Sequence, residues 1–313
     1  MPFLILQFSL GLFLLLVSTQ YFVRLAEKIS QILKISPLIV GITVVAIGTS
    51  LPELAVSLTS VVKHDSGLAL GNIIGSNIVN ILLVLPIGLF IGNLKIGTTK
   101  TQQNAVILSL VTFAFFLCIL FGSSTPFLGI ALIGSAILVT VLEYRMASFG
   151  STHEDAKKFT HSKKGSFSIG TGILSVLLFV GIMSGSIILV DAVEKIALLT
   201  NTSTAILGLT LTAIATSLPE LLATIFSQKD GHSKLTIGNI LGSNIYNLLM
   251  VGGVVLLFPI SNTIAIKAWS WLAVSTILLV GIIFTYKGKK LPRWIGVLLM
   301  LLGLAYLFFN SAG

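Results

Sequence analysis

Two short stretches carry the residues that could do chemistry: "GTSLPEL" at 48–54 and "ATSLPEL" at 215–221. In each, a pair of hydroxyls stands just before a proline and a glutamate. The first set is Thr49, Ser50, Pro52 and Glu53; the second is Thr216, Ser217, Pro219 and Glu220. Proline has no N–H, so a helix through it leaves the carbonyl four residues earlier without its donor. Those carbonyls belong to Gly48 and Ala215. Thr49 and Glu53 are four apart and share a helix face. A hydroxyl, a carboxylate and a freed carbonyl oxygen therefore converge, and a cation satisfies all three. A second polar set follows each stretch. Asn72, Ser76 and Asn80 are spaced by four, as are Asn239, Ser243 and Asn247, so each trio forms a stripe on one helix face. The donors are all oxygen, with no His or Cys among them. That suits Ca²⁺, Na⁺ or Mg²⁺ rather than zinc or copper. Two glutamates carry the charge that balances one divalent ion. The plainer reading, two protonated glutamates shaping a kink, does not explain why the hydroxyls recur with them.

The recurrence is long. Setting residue n against n+167 aligns 41–80 with 208–247 without a gap, at 21 identities in 40 positions. The shared Pro, Glu, Asn and Gly cannot come from apolar composition alone. Gly71 and Gly75, like Gly238 and Gly242, form a G-x-x-x-G face suited to close helix packing. Asn72 and Asn239 read as helix-to-helix hydrogen-bonding residues, and Asn80 and Asn247 as ligands or near-ligands.

The elements that must position these residues are membrane helices. The chain has 313 residues, 55% of them hydrophobic and 9% charged, with mean hydropathy +1.05. Soluble proteins are about 25% charged, so this inventory excludes a water-soluble fold and points to an all-α polytopic membrane protein. Ten apolar segments are expected, at 3–23, 36–62, 67–91, 103–121, 126–144, 168–190, 203–228, 235–258, 266–285 and 293–310. The N-terminal run has no basic residue before it and no cleavage signature, so it reads as a first spanning helix rather than a signal peptide. Five segments per repeat is an odd number, so the second repeat enters from the opposite side. This inverted symmetry is characteristic of secondary transporters. The expected division is 1–144 for the first repeat, 145–167 for a linker and 168–313 for the second repeat.

With the N-terminus outside, 16 of the 19 Lys and Arg fall on the inner side. That bias places both termini outside and the central loop in the cytoplasm. It also accounts for the net charge of +9 without nucleic acid. His64, His153, His161 and His232 lie in loops and read as solvated. The lone Cys118 forms neither an intrachain disulfide nor a metal site. Asp191, Glu194 and Glu143 lie near helix ends in no catalytic arrangement. They read as membrane-edge charges, and no enzyme is expected.

The paired motifs, "GTSLPE…GNIIGSNIVN" and "ATSLPE…GNILGSNIYN", resemble the two α-repeats of the Ca²⁺/cation antiporter superfamily. Over the whole chain the sequence is similar to the prokaryotic sodium/calcium exchangers of the YrbG type. The resemblance implies an inner-membrane antiporter acting as a monomer on Ca²⁺ and Na⁺, with H⁺ as a further possible ion and no cofactor. It implies that the ions are held by Glu53, Glu220, Thr49, Ser50, Thr216, Ser217, Ser76, Ser243 and Asn80, with the carbonyls of Ala46 and Ala213. It also implies that the first helix of each half slides across the remainder. Asn247 stands where archaeal exchangers of known structure have Asp, which removes one potential charge and leaves Na⁺ coupling the open point. Three readings remain at this stage: Na⁺/Ca²⁺ antiport, Ca²⁺/H⁺ exchange, and a cation channel built from the same oxygens.

Overall fold

The computed structural model describes residues 2–32, 46–97, 99–121, 126–149, 169–229, 231, 233–260 and 266–311. The secondary structure it describes is helical. In chain order the elements are α1 (Pro2–Ile32), α2 (Ala46–Thr49), α3 (Leu51–Val62), α4 (Ser66–Val79), π1 (Asn80–Val84), α5 (Leu85–Ile91), α6 (Thr99–Phe121), α7 (Pro126–Phe149) and α8 (Ile169–Thr200). There follow α9 (Thr204–Leu207), π2 (Gly208–Thr212), α10 (Ala213–Thr216), α11 (Leu218–Lys229), α12 (Ser233–Tyr246), π3 (Asn247–Val251), α13 (Gly252–Val255), α14 (Ile266–Thr285) and α15 (Arg293–Ser311). Among the described residues, eight helices are long and apolar enough to cross a membrane.

Every expected apolar segment carries helix where it is described. Of the segment at 36–62, residues 36–45 lie outside the described residues, and the rest is the broken pair α2 and α3. Most of the expected linker, 150–167, also lies outside them. Two helices outrun their apolar stretches. α1 continues nine residues beyond 23, and α8 continues past Asp191 and Glu194 to Thr200. Helical hydrogen bonding continues past the end of the apolar run, because backbone pairing depends on neighbouring peptides and not on the lipid.

Burial separates the helices into a core and a shell. An 18-residue stretch of Ser66–Ile91 is 83% buried, against 22% for the 18 residues of Pro126–Glu143. Phe3, Leu6, Phe13, Phe113, Phe127 and Leu298 are exposed. On a membrane protein such residues face lipid, so their exposure is no penalty. Two apolar clusters organise the interior. The larger joins α4 and α12 to α6, α14 and α15. The smaller holds α1 and α8 against α3 and α4 through Leu15, Val56, Leu68, Ile182 and Leu189.

Close helix approach rests on glycine. A Cβ on Gly71 would lie 2.5 Å from the Ala205 carbonyl oxygen, and one on Gly75 would lie 2.6 Å from that of Leu209. These two glycines let α4 press its backbone onto α9 and π2, as the G-x-x-x-G spacing predicts.

Candidate cation site

Both broken helices break in the same way. Ser50 sits between α2 and α3 with φ −83° and ψ 4°, and Ser217 between α10 and α11 with φ −81° and ψ 5°. These are bridge-region values, sparsely used and frequent at functional residues. The helix restarts at once: Leu54 N–H donates to the Ser50 carbonyl and Leu221 N–H to that of Ser217, each at 3.1 Å. The prolines stand at the second position of each restarted helix, where a missing N–H is tolerated. The motif therefore places its glutamate in the first turn of a new helix, deep in the interior.

Glu53 and Glu220 are both fully buried. Their hydrogen bonds cross between the two repeats. Ser217 Oγ donates to Glu53 Oε1 and Ser50 Oγ donates to Glu220 Oε1, each at 3.3 Å. The threonines cross in the same sense. Thr216 Oγ1 donates to Asn72 Oδ1 at 3.1 Å, and Thr49 Oγ1 to Asn239 Oδ1 at 3.4 Å. Each of these pairs maps onto the other under the 167-residue offset. Ser76 Oγ lies 3.4 Å from Thr216 Oγ1. Asn72 also donates to the Glu53 carbonyl at 3.3 Å and to Ser57 Oγ at 3.1 Å, tying α4 to α3. Asn72 and Asn239 thus do bridge helices.

Asn80 Nδ2 donates to Ser243 Oγ at 3.2 Å and to Asn244 Oδ1 at 3.3 Å, joining the two polar helices. Its Oδ1 has no partner. Asn247, equally buried, has neither amide atom paired. The Ala213 carbonyl accepts from Ser217 N–H at 3.1 Å, and Thr216 Oγ1 lies 3.4 Å from it. Of the carbonyls named from the resemblance, Ala213 thus already has a backbone donor, and Ala46 opens α2.

The remaining oxygens of both glutamates, Oε2 in each, are buried and without a hydrogen-bond partner. A buried polar oxygen left unpaired costs roughly 1–3 kcal/mol, and more if charged. Among the described residues no ion pair reaches either glutamate, and no group of three His, Cys, Asp or Glu forms a metal cluster. What the arrangement offers is two carboxylate oxygens, two amide oxygens and nearby hydroxyls, all lacking positive charge. That donor set fits a hard cation.

Sequence reasoning did not find every feature. π1 and π3 begin at Asn80 and Asn247, and π2 precedes α10. Such turns widen the helix and concentrate at functional sites, but no residue type specifies them. The bond between Asn244 and Asn80 depends on the distance between α12 and the start of π1, which no spacing in the sequence gives. The three acids near helix ends form ion pairs. Asp191 and Glu194 both pair with Lys63, and Glu143 pairs with Lys100 at 2.9 Å.

Comparison with known proteins then places the chain. The family described as "Sodium/calcium exchanger protein" matches residues 3–145 and 170–312. The putative antiporter CaxA of Alkalimonas amylolytica is 33% identical over 96% of this chain and 97% of its own. The inner membrane protein YrbG of Escherichia coli is 31% identical over 96% and 95%. The sodium-calcium exchanger NCX_Mj, soaked with 10 mM Na⁺ and 10 mM Sr²⁺, superposes with a TM-score of 0.69 at 28% identity, covering 98% of this chain and 99% of that one. With the buried oxygen cluster in place and the family spanning both repeats, this chain is a member of the sodium/calcium exchanger family, a multi-pass membrane cation antiporter.

Proposed function

We propose that this protein exchanges Na⁺ for Ca²⁺ across a prokaryotic inner membrane, with Glu53 and Glu220 as the central ligands. The observation that carries this is the crossed serine–glutamate pairing. It gathers both carboxylates into one buried cluster and leaves an Oε2 of each unpartnered. One Ca²⁺ neutralises the two carboxylates. Na⁺ ions at the same oxygens do so as well, so the two occupancies exclude each other and transport becomes exchange. Thr49, Ser50, Thr216, Ser217, Ser76, Ser243, Asn80 and Asn247 supply neutral oxygens around them, with Ala46 and Ala213 contributing carbonyls.

The proposed frame is ten spanning helices in two inverted repeats, 1–144 and 168–313, joined by 145–167, working as a monomer with both termini outside. The sequence offset of 167 and the matching breaks at Ser50 and Ser217 support it. Alternating access then has α1 and α8 slide against the rest. Two features favour this pair. It meets the rest through a small apolar cluster of its own. The two helices also touch through Gly11 and Gly185, where a Cβ on Gly185 would lie 2.7 Å from the Leu15 nitrogen.

The test is Ca²⁺ uptake into proteoliposomes with Na⁺ and pH gradients imposed separately. Uptake driven by an outward Na⁺ gradient is the expected result. Uptake that follows pH alone would replace Na⁺ by H⁺, and single-channel currents would replace exchange by conduction. Glu220→Gln is expected to weaken Ca²⁺ activation by about 100-fold. Removing one member of a buried charge pair costs about 3 kcal/mol or more, and the ion is the other member here.

A further inference from the structure

Away from the buried site, the loop after α5 and the loop before α15 are laced together. Ile96 N–H donates to the Lys289 carbonyl and Leu291 N–H to the Leu94 carbonyl, each at 2.9 Å. Gly288 N–H donates to the Gly97 carbonyl at 3.2 Å, and Gly288 itself takes φ +70° to turn the chain. These bonds flank one antiparallel bridge, Lys95 with Lys290. The pattern makes the two lysines a non-hydrogen-bonded pair, the kind whose side chains approach most closely. Their neighbours Leu94, Ile96 and Leu291 are buried. By alternation Lys95 and Lys290 project to the opposite, exposed side.

Like charges directly opposite one another destabilise a bridge. Nothing described relieves this one. Residues 92–100 and 285–294 contain no Asp or Glu. Among the described residues, Lys95, Lys287, Lys289, Lys290 and Arg293 enter no ion pair. A bias of Lys and Arg toward one side explains basic loops in general. It does not require two lysines to be clamped face to face by backbone bonds.

We propose that the Lys95–Lys290 pair binds the phosphate headgroup of an anionic phospholipid. The surroundings favour a lipid over a soluble phosphate. Trp294 is 60% exposed beside the clip, and Phe284, Phe90 and Ile91 are exposed on the helix ends that meet it. An amphipathic Trp at the headgroup level with apolar side chains below matches a lipid's polar and acyl parts. Each lysine near an anionic leaflet contributes about fivefold to binding.

The experiment is native mass spectrometry of the full chain with equimolar phosphatidylglycerol and phosphatidylcholine, alongside thermal stability in neutral detergent with each lipid added. Phosphatidylglycerol is expected to be retained in preference and to raise Tm. K95Q/K290Q is expected to lower that preference by roughly 25-fold, while K95R/K290R keeps it. Lys195→Gln, which removes an exposed charge elsewhere, is expected to leave it unchanged. An unchanged preference in K95Q/K290Q overturns the proposal. So does inorganic phosphate raising Tm as much as the lipid, which would make the ligand a soluble anion.

Discussion

At the scale of single residues, the cluster works by reciprocity. Ser50 serves Glu220 and Ser217 serves Glu53, so each repeat supplies the donor that orients the other's carboxylate. Removing one serine frees that carboxylate to turn away from the proposed ion position. Ser217→Ala and Ser50→Ala are each expected to raise half-saturating Ca²⁺ about tenfold, the low end for a hydrogen bond to a charged group. The effects of the two should match within a few-fold, measured by Ca²⁺ flux in proteoliposomes; a large difference would mean that the pairing is not reciprocal in function. The side-chain amide of Asn247 lacks any hydrogen-bond partner, so a carboxylate there would lose no existing side-chain bond. Asn247→Asp adds a third potential charge to two carboxylates that, in the proposed function, one divalent ion neutralises. Expected outcomes are a lower half-saturating Ca²⁺ concentration and a lower maximum flux, because release becomes harder. Unchanged flux kinetics would place residue 247 outside the ion path.

At the scale of elements, glycine decides which helices touch. Gly75 and Gly134 both lie in long helices, yet a Cβ at Gly75 would meet Leu209 O at 2.6 Å and Ala213 Cβ at 2.7 Å, while one at Gly134 meets nothing within 4 Å. The same change should therefore act with opposite sign. Gly75→Ala is expected to destabilise by about 1–3 kcal/mol through overpacking. Gly134→Ala is expected to be neutral or to stabilise by up to about 1 kcal/mol through helix propensity. Thermal unfolding in detergent separates the two outcomes. The close approach matters for the site, because α4 carries Asn72 and Ser76, and π1 directly after it Asn80, into contact with the second repeat only if the α4 backbone can lie against π2.

At the scale of the whole molecule, orientation follows from charge. The 16-to-3 division of Lys and Arg predicts both termini outside and the expected linker, 145–167, inside. Replacing Cys118, the only cysteine, by Ala gives a background for labelling. Cysteines placed at either terminus should then react with a membrane-impermeant maleimide in intact cells, and one in the expected 145–167 linker only after lysis. Labelling of the loop in intact cells would reverse the assignment.

The sequence by itself determined the membrane class, the positions of the helices, the repeat, and the identity of the two acids with their hydroxyls. It could do so because periodicity, proline and charge act locally and recur in register. Only the tertiary structure decided the partners. That Ser217 faces Glu53 rather than its own Glu220, and that Asn244 holds Asn80, depends on two helices 164 or more residues apart lying side by side. The facing lysines at 95 and 290 meet for the same reason, across loops far apart in the chain. Spacing along one helix fixes a face, but only packing fixes what that face meets.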